Sequence, residues 1–276
     1  MKNKIVVICL IFFMIISISA VSAQNNNSDI ISANNNDDDT ISINNFNEEI
    51  LSANTGSFAD LNATINGGSS ASIELDKDYA YSSSDNIKEG ILINRDNLTI
   101  DGKGHSIDAK GQSRIFYVNS TTVTLKNIKL MNGAFKNGGA IWGYGENLRI
   151  FNCTFINNTA SGWGGSVYSY PDSYAVFVNS TFIDNTARYG GALALIGESN
   201  HARHDIINCS FIRNTATDDN LGGGAIFYYG DWDSNNYVKN SIFINNTAEK
   251  GGAIYNCINA MIDISNSIFI GNKNIS

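Results

Sequence analysis

Basic residues are scarce in this chain of 276 residues, and they form no stripe along it. The sequence has 18 Lys and Arg against 26 Asp and Glu, which gives a formal net charge of −8. Proteins that bind nucleic acids concentrate positive charge on one face because they neutralise phosphates. The composition therefore argues against a nucleic-acid partner.

Cysteine is also scarce, and the four cysteines do not suggest a disulfide framework. Cys9 lies in the segment interpreted below as a signal peptide. Cys153 and Cys209 occupy the same position in repeats two units apart. If the units stack at the strand spacing, these residues lie about 10 Å from each other, beyond the reach of a disulfide. We expect both to be small core residues and Cys257 to be a free buried thiol.

The apolar run at residues 5–16 is too short for a comfortable membrane span. Two lysines precede it and small residues follow at 21–23, which predicts a secretory signal peptide at residues 1–23. An uncleaved membrane anchor is the alternative. Residues 24–56 are rich in Asn and Asp and poor in large apolar side chains, which predicts a disordered linker.

A repeated motif dominates the rest of the sequence. Residues 152–160 read N-C-T-F-I-N-N-T-A, and close copies begin at 179, 208 and 240, with a shorter copy at 266 and a weaker one at 127. A Gly-Gly pair follows each full copy. Motifs that return every 25–32 residues with loops of variable length indicate a stack of repeated structural units. The lead asparagines of the six copies are Asn127, Asn152, Asn179, Asn208, Asn240 and Asn266.

Each unit contains three short apolar runs separated by Gly and Asn, with no helical pattern between them. In the first full unit these runs are residues 140–142, 148–151 and 153–156. Short runs rich in Ile, Val, Phe and Thr are typical of strands, and such strands bury a face only if the chain coils and stacks them. The sequence therefore predicts an all-β fold, a right-handed parallel β-helix with three short strands per turn, as one domain over residues 57–276.

Three sets of residues recur at fixed positions and are expected to stack along the coil. The lead asparagines form one ladder, because asparagine tolerates the left-handed backbone of a corner. Glycosylation motifs that begin at Asn152, Asn179 and Asn208 should then be buried in that ladder. The internal aromatic ladder is predicted to contain Phe155, Phe182, Phe211, Phe243 and Phe269. A ladder of hydrogen-bonded amides is predicted at Asn158, Asn185, Asn214, Asn246 and Asn272.

The two ends of the predicted coil differ in sequence. At the start, Phe58, Leu61 and Ile65 share one face of a short helix that Ser57 can cap, which predicts a lid over the first turn. At the other end, the last motif stops at residues 268–272, before any Gly-Gly pair, so its strand edges are expected to be open. We expect that a second chain covers this edge through self-association, or that the sequence is a piece of a longer array.

An aromatic row after the Gly-Gly pairs is the best candidate for ligand binding. If Ile141 and its equivalents point inward, strand alternation turns the next residue of each strand outward. An exposed row of rings on a rigid coil can stack on sugars or anchor a protein. The alternative is that the phase is inverted and the rings belong to the core. The candidate binding residues are Trp142, Tyr168, Tyr170, Phe227, Tyr228 and Tyr255.

Catalytic groups do not recur in phase with the motif, so we predict no catalytic residue, no metal and no cofactor. Glycoside hydrolysis needs two facing carboxylates, but the acidic residues fall mostly in variable loops, and Asp218 and Asp219 are expected in a solvated one. Asp231-x-Asp233-x-Asn235 opens like a calcium loop but lacks the turn glycine and the closing Glu. The acidic residues considered are Asp101, Asp108, Asp205, Asp218, Asp219, Asp231 and Asp233.

The three histidines also give little support for a catalytic site. His105 lies in a Gly-His-Ser turn and is interpreted as structural. His201 and His204 share a predicted loop with Arg203 and Asp205. A His/Asp pair can act as an acid–base couple, but no nucleophile lies near it in the sequence. We expect a surface loop there.

The repeated motif resembles those of known families. Phenylalanine-x-x-asparagine followed by Gly-Gly-Ala and an aliphatic residue resembles the repeat of chlamydial polymorphic outer membrane proteins. The fuller N-C-T-F-I-N-N-T-A form resembles adhesin-like surface proteins of methanogenic archaea. Residues 97–107, N-L-T-I-D-G-K-G-H-S-I, are similar to the entry coil of those proteins and of pectate-lyase-like β-helices.

This resemblance covers about residues 57–276 and carries expectations about function. It implies a secreted or surface-attached right-handed β-helix, outside the cell or in its envelope. Its partners are then glycans or proteins of another surface, and its activity is adhesion. The alternative function is that of a pectate-lyase-like enzyme acting on polysaccharides.

Overall fold

The computed structural model describes residues 55–170, 174–197, 202–230, 235–258 and 261–275. The predicted signal peptide, nearly all of the predicted linker, and Asp231, Asp233 and His201 lie outside these residues. The described part of the chain is a coil of parallel strands with about seven turns, preceded by one short helix.

The strands, numbered in chain order, stack turn upon turn into four parallel sheets. Sheet C contains β3 Ile91–Ile93, β6 Phe116–Val118, β10 Ile141–Gly143, β14 Val167–Ser169, β18 Leu193–Gly197, β22 Ile226–Gly230 and β26 Ile254–Cys257. Sheet B contains β1 Ser72–Glu74, β4 Leu98–Asp101, β7 Thr122–Lys126, β11 Asn147–Phe151, β15 Tyr174–Val178, β19 Arg203–Ile207, β23 Asn235–Lys239 and β27 Met261–Ser265. Sheet A contains β2 Tyr79–Ala80, β5 Ser106–Asp108, β8 Lys129–Met131, β12 Thr154–Ile156, β16 Thr181–Ile183, β20 Ser210–Ile212, β24 Ile242–Ile244 and β28 Ile268–Ile270. Sheet D contains β9 Ala134–Phe135, β13 Thr159–Ala160, β17 Thr186–Ala187, β21 Thr215–Ala216, β25 Thr247–Ala248 and β29 Lys273–Asn274.

This arrangement confirms the predicted right-handed parallel β-helix and adds a strand to it. Each full turn visits sheets C, B, A and D in that order, as β10, β11, β12 and β13 do. The expected three strands per turn become four. The strand in sheet D was not predicted because it is a pair of residues, too short to show a period of its own. In β13, β17, β21 and β25 this strand is the Thr-Ala pair that ends the nine-residue motif.

The lead asparagines lie at the corner between sheets B and A, and most of them are exposed. Asn152, Asn179 and Asn208 have φ angles of 52°, 51° and 53°, in the left-handed region. The Asn152 side chain donates to Asn127 Oδ1 (2.7 Å), and the Asn127 side chain donates to Asp101 (2.8 Å). The expected burial of the three glycosylation motifs is therefore wrong, because these side chains stand on the outside of the corner.

Phenylalanine and asparagine side chains stack inside the coil. The five phenylalanine rings of the repeat lie 4.7–4.8 Å apart between centroids, with interplanar angles of 3–6°. Beside them, the side-chain amide of Asn214 donates to Phe182 O (3.0 Å) and to Asn246 Oδ1 (2.9 Å). Its own Oδ1 accepts from the backbone and side chain of Asn185. The amides satisfy one another from turn to turn, so a polar side chain can lie in the core.

A nine-residue helix, α1 at Phe58–Asn66, packs against the first turn. Ser57 caps it through a capping box with Asp60. The carboxylate of Asp85 accepts hydrogen bonds from the N–H groups of the first two helical residues (3.0 and 2.9 Å). Asp85, which the sequence analysis did not identify, thus ties the helix to the coil. The fully buried face of the helix contains Phe58, Leu61 and Ile65.

Apolar side chains are exposed at the last described turn. Phe269 stacks on Phe243 at 4.7 Å yet is 46% exposed. Ile268 and Ile270 beside it are 38% and 41% exposed. The self-association expected for this edge stays a prediction.

Candidate ligand-binding surface

The outer face of sheet C carries a row of aromatic and small side chains. Ile141, Val167, Leu193 and Ile226 are fully buried inside the coil. The next residue of each strand faces outward because strand side chains alternate. The phase of the row is therefore the predicted one. The outward residues pair from strand to strand in the order Trp142, Tyr168, Ala194, Phe227 and Tyr255.

A second layer of side chains folds over this row from the turns at the Gly-Gly pairs. Trp163 and Tyr189 lie directly before their pairs, and both pack against the row. The turn needs both glycines: Gly164 has a φ of 61°, and a Cβ on Gly165 would overlap a carbonyl oxygen of the next turn. Neither aromatic residue was predicted to belong to the surface, although a ring directly before Gly-Gly is a visible signal in the sequence.

The two layers form one continuous surface, which we call the aromatic band. The Trp142 ring lies 4.9 Å from the Tyr117 ring and 6.1 Å from the Tyr168 ring. Tyr168 in turn stacks on Tyr170 at 5.7 Å with an interplanar angle of 6°. These contacts hold the rings in fixed orientations. The band consists of Tyr117, Trp142, Tyr144, Trp163, Tyr168, Tyr170, Tyr189, Phe227, Tyr229 and Tyr255.

The band has a buried inner part and an accessible outer part. Phe227 is fully buried and Tyr168 is 8% exposed, whereas Tyr144 is 44% exposed. Exposed rings on a stable scaffold mark a surface that can receive a partner. The half-buried members are Tyr117, Trp142, Trp163, Tyr170, Tyr189, Tyr229 and Tyr255.

The six predicted binding residues do not all lie on the accessible surface. Tyr228 is 1% exposed and points into the coil, because it follows the outward-facing Phe227 in the strand. Phe227 is covered by Trp163, whose ring lies 5.1 Å away. Neither Tyr228 nor Phe227 offers a surface to a ligand, and Tyr168 offers little. Ligand binding by the others stays a prediction. Those others are Trp142, Tyr170 and Tyr255.

Two guanidinium groups contact the band, and each has partners within the protein. Arg114 lies 5.2 Å from the Trp142 ring and donates to three backbone carbonyl oxygens. Burial lowers the pKa of Arg114 to about 10, which still leaves it charged at neutral pH. Arg188 lies 5.1 Å from the Tyr189 ring and donates to the carboxylate of Asp218 at 2.8 Å. Arg114 is thereby enclosed by the protein, whereas the Arg188 side chain is 59% exposed and its charge is balanced by Asp218.

Asp218 has a structural role beside the band. Its carboxylate accepts from Arg188 and from the backbone N–H groups of Asn220 and Leu221 (2.9 Å each). Burial opposes ionisation, but these hydrogen bonds outweigh it and lower the pKa of Asp218 to about 2. The expected solvated loop is therefore wrong for Asp218, which is 7% exposed, while Asp219 beside it is exposed.

Other acidic candidates also bind groups of the scaffold. Asp101 accepts from Asn127 and forms an ion pair with Lys126 at 3.2 Å. Burial opposes ionisation of Asp101, but these partners outweigh burial and lower the pKa of Asp101 to about 2. Asp108 accepts from the side chain of Asn132 at 2.8 Å. Each carboxylate begins an outward ladder of amides, which accounts for its position without catalysis.

His204 and Asp205 lie on opposite faces of β19, so they do not form an acid–base couple. Asp205 accepts two hydrogen bonds from Arg203 (3.1 and 3.0 Å) and one from a tyrosine hydroxyl. His204 is 2% exposed, and burial lowers its pKa to about 3. The expected surface loop is wrong for these residues, which belong to a strand.

His105 Nδ1 lies 3.3 Å from the carboxylate of Asp78.

Within the described ranges, no group of three His, Cys, Asp or Glu side chains comes close enough to hold a metal ion. Cys153 and Cys209 are buried and free, and burial raises the pKa of both thiols to about 12. They therefore stay protonated and unreactive at neutral pH. Cys257 is half-buried, and its expected full burial is wrong.

Comparison with known proteins supports the type of repeat. Residues 152–170 and 240–257 match the family described as the Chlamydia polymorphic membrane protein repeat. The chain is also 34% identical over 166 residues to the "Probable autotransporter YfaL" of Escherichia coli (strain K12). That match covers 53% of this chain and 13% of the relative. No solved structure matches the chain.

The chain thus forms a β-helix with repeats of the polymorphic membrane protein type, similar over part of its length to an autotransporter. Its resemblance to proteins of methanogenic archaea stays a prediction. No helix among the described residues has both the length and the apolar character needed to cross a membrane.

Proposed function

We propose that this chain is the binding region of a surface-exposed β-helix protein, and that it attaches to a partner surface through the aromatic band. The observation that carries the proposal is the band itself. Its rings are partly exposed, contact one another and stand on a coil whose interior is fully packed. The similarity to an autotransporter and to polymorphic membrane protein repeats supports a place at the cell surface or outer membrane.

Partly exposed rings are a disadvantage for a protein that binds nothing, because apolar surface in water promotes association. They are suited to binding because tyrosine and tryptophan offer a large contact area and lose few rotamers on contact. Here the neighbouring rings already restrict those rotamers. The entropy lost on binding is therefore small, and more of the contact energy remains as affinity.

Adhesion of beads coated with the purified protein tests this proposal. The beads are counted on layers of intact microbial and animal cells after washing. We expect adhesion by the unmodified protein and its loss in the double variant Trp142→Ala/Tyr144→Ala, which removes the most accessible part of the band. Tyr237→Ala is the matched control, since this half-buried tyrosine lies on the outer face of sheet B. Equal adhesion of all three proteins contradicts the proposal, as does adhesion by none.

A further inference from the structure

We propose that the aromatic band binds an uncharged polysaccharide chain lying along the axis of the coil. This inference rests on the proposed function and names the class of ligand. It follows from the shape of the band, from its charge and from the fixed positions of its rings.

The shape of the band favours a linear polymer. Its rings stand on or beside six successive strands of sheet C, from β6 to β26. Five steps at the strand spacing give a length of about 24 Å along the coil axis. Tyr117 marks one end and Tyr255 the other, and both are half-buried. A surface this long and narrow is matched by a chain of several sugar units rather than by a compact small molecule.

The chemistry of the rings favours sugars. The C–H faces of a pyranose are apolar and pack flat on an aromatic ring, while its hydroxyl groups point sideways to water or to polar groups. The half-buried rings of Tyr117, Trp142 and Tyr170 are the members of the band that can present such a face. A protein interface of comparable size has an apolar centre with a polar, often charged rim. The band instead has rings on or beside each of six strands, with small or aliphatic side chains such as Ala194 between them.

The charges around the band favour a neutral ligand. Arg114 is bound by backbone carbonyl oxygens, and Arg188 is paired with Asp218. A sulfated or uronate polymer loses water around its anionic groups when it binds, and it needs cations to replace that water. Carbonyl oxygens enclose Arg114, and the carboxylate of Asp218 already balances the charge of Arg188. An acidic polysaccharide is therefore compensated less by these two groups than by unpaired cations.

The test measures binding of defined polysaccharides by the purified chain. The probes are soluble dextran, mannan and xylan as neutral polymers, with polygalacturonate and heparin as acidic ones. Quenching of tryptophan fluorescence reports contact, because Trp142 and Trp163 both belong to the band. We expect binding of at least one neutral polymer, with an affinity that changes less than twofold between low and high salt. Salt-dependent binding of the acidic polymers alone overturns the proposal.

Variants in the first and last parts of the band test the orientation of the ligand. Loss of one stacking ring should weaken binding of a long neutral polymer about tenfold in either Trp142→Ala or Tyr255→Ala. A short oligosaccharide of the same sugar, which cannot span the band, should be affected by only one of the two. Tyr237→Ala on sheet B should leave binding unchanged. Equal losses for long and short ligands in both variants would show a compact site and overturn the axial arrangement.

The outcomes also separate this inference from the proposed function. Adhesion of the coated beads that depends on the band but resists all five polysaccharides points to a protein partner. In that case the ligand class is wrong and the proposed function survives. Absence of both adhesion and polysaccharide binding in the folded, unmodified chain contradicts both.

Discussion

The inside and the outside of the same coil use aromatic residues in opposite ways. Inside, the phenylalanine rings of successive turns lie 4.7–4.8 Å apart and within 6° of parallel. Outside, in the aromatic band, ring pairs lie 4.4–6.4 Å apart at angles from 6° to 83°. The inner rings are the same residue at each turn of the repeat, whereas the outer rings change from turn to turn.

This difference separates the scaffold from the proposed recognition surface. An identical residue at each turn propagates the coil, because every turn offers the next one the same template. A surface with different residues at each turn cannot propagate the coil in this way. Its residues can therefore change to suit a ligand without disturbing the stacking of the turns. The residues of the aromatic band, which differ from turn to turn, are therefore the positions at which this coil can encode binding specificity.

The largest expected effect compares the two kinds of phenylalanine. Phe211 in the internal stack and Phe227 in the band are both fully buried. Phe211→Ala should cost about 3–5 kcal/mol, because the packed turns above and below cannot close the cavity. Phe227→Ala should cost clearly less, because its half-buried neighbours can move and water can enter. Urea unfolding curves measure both variants.

The control for this pair is Asp219→Ala, an exposed position near the band that should change the unfolding free energy by less than about 0.5 kcal/mol. Asp218 does not suit that purpose, because it holds Arg188 and two backbone N–H groups. Equal losses for Phe211→Ala and Phe227→Ala would mean that the band is a second core and that the contrast between the two faces is wrong.

The repeat made the coil predictable, because the same spacing reports the same corner and the same core position at every turn. Strand alternation then placed Ile141 and Trp142 on opposite faces. Two features were not predicted, for different reasons. The strands of sheet D contain only two residues each and therefore show no period. The exposed lead asparagines recur as regularly as the buried asparagines of the inner ladder, so their exposure could not be read from their spacing. Regular spacing reveals a fixed position but not which side of the backbone it occupies.

The accessible part of the band could be predicted only in part. The positions of Trp142 and Tyr255 followed from alternation. The burial of Phe227 on β22 depends on Trp163, which precedes β14, two strands away in the sheet. The hydrogen bonds of Asp85 with α1 join positions 27 and 26 residues apart, across a whole turn. Such contacts depend on how each loop between strands folds in three dimensions, which the identity of a single residue does not predict.

A smaller effect separates the inner from the outer asparagines. Asn214 is fully buried and bonded to three neighbouring residues, whereas Asn208 is exposed with a φ of 53°. Asn214→Gly leaves buried amide and carbonyl groups without partners, each at a cost of about 1–3 kcal/mol. Asn208→Gly should lie within about 0.5 kcal/mol of the unmodified chain, since glycine adopts this φ freely. Equal unfolding midpoints for the two variants would show that the inner amides do not stabilise the coil.

The last prediction concerns an exception to the satisfied interior. The ring nitrogens of His204 and the hydroxyl of Tyr228 are buried without a hydrogen-bond partner, and the two rings lie 6.4 Å apart. Burial lowers the pKa of His204 to about 3 in the folded chain, whereas the unfolded value is near 6.5. The folded state therefore excludes a proton that the unfolded state takes up. Stability should be complete above pH 6.5 and fall as the pH drops from 6.5 towards 3.

At pH 5 this loss amounts to about 2 kcal/mol. Asp101 and Asp218, whose pKa values are about 2 when folded, lose their contributions only below about pH 4, so neither contributes to the slope between pH 6.5 and 5. His204→Leu should flatten the dependence of the unfolding midpoint on pH in that window. Asn208→Gly, which removes no titratable group, should keep it. Identical slopes for the unmodified chain and His204→Leu would show that the histidine reaches water in the folded coil, and that the interior is more open at this turn than its packing indicates.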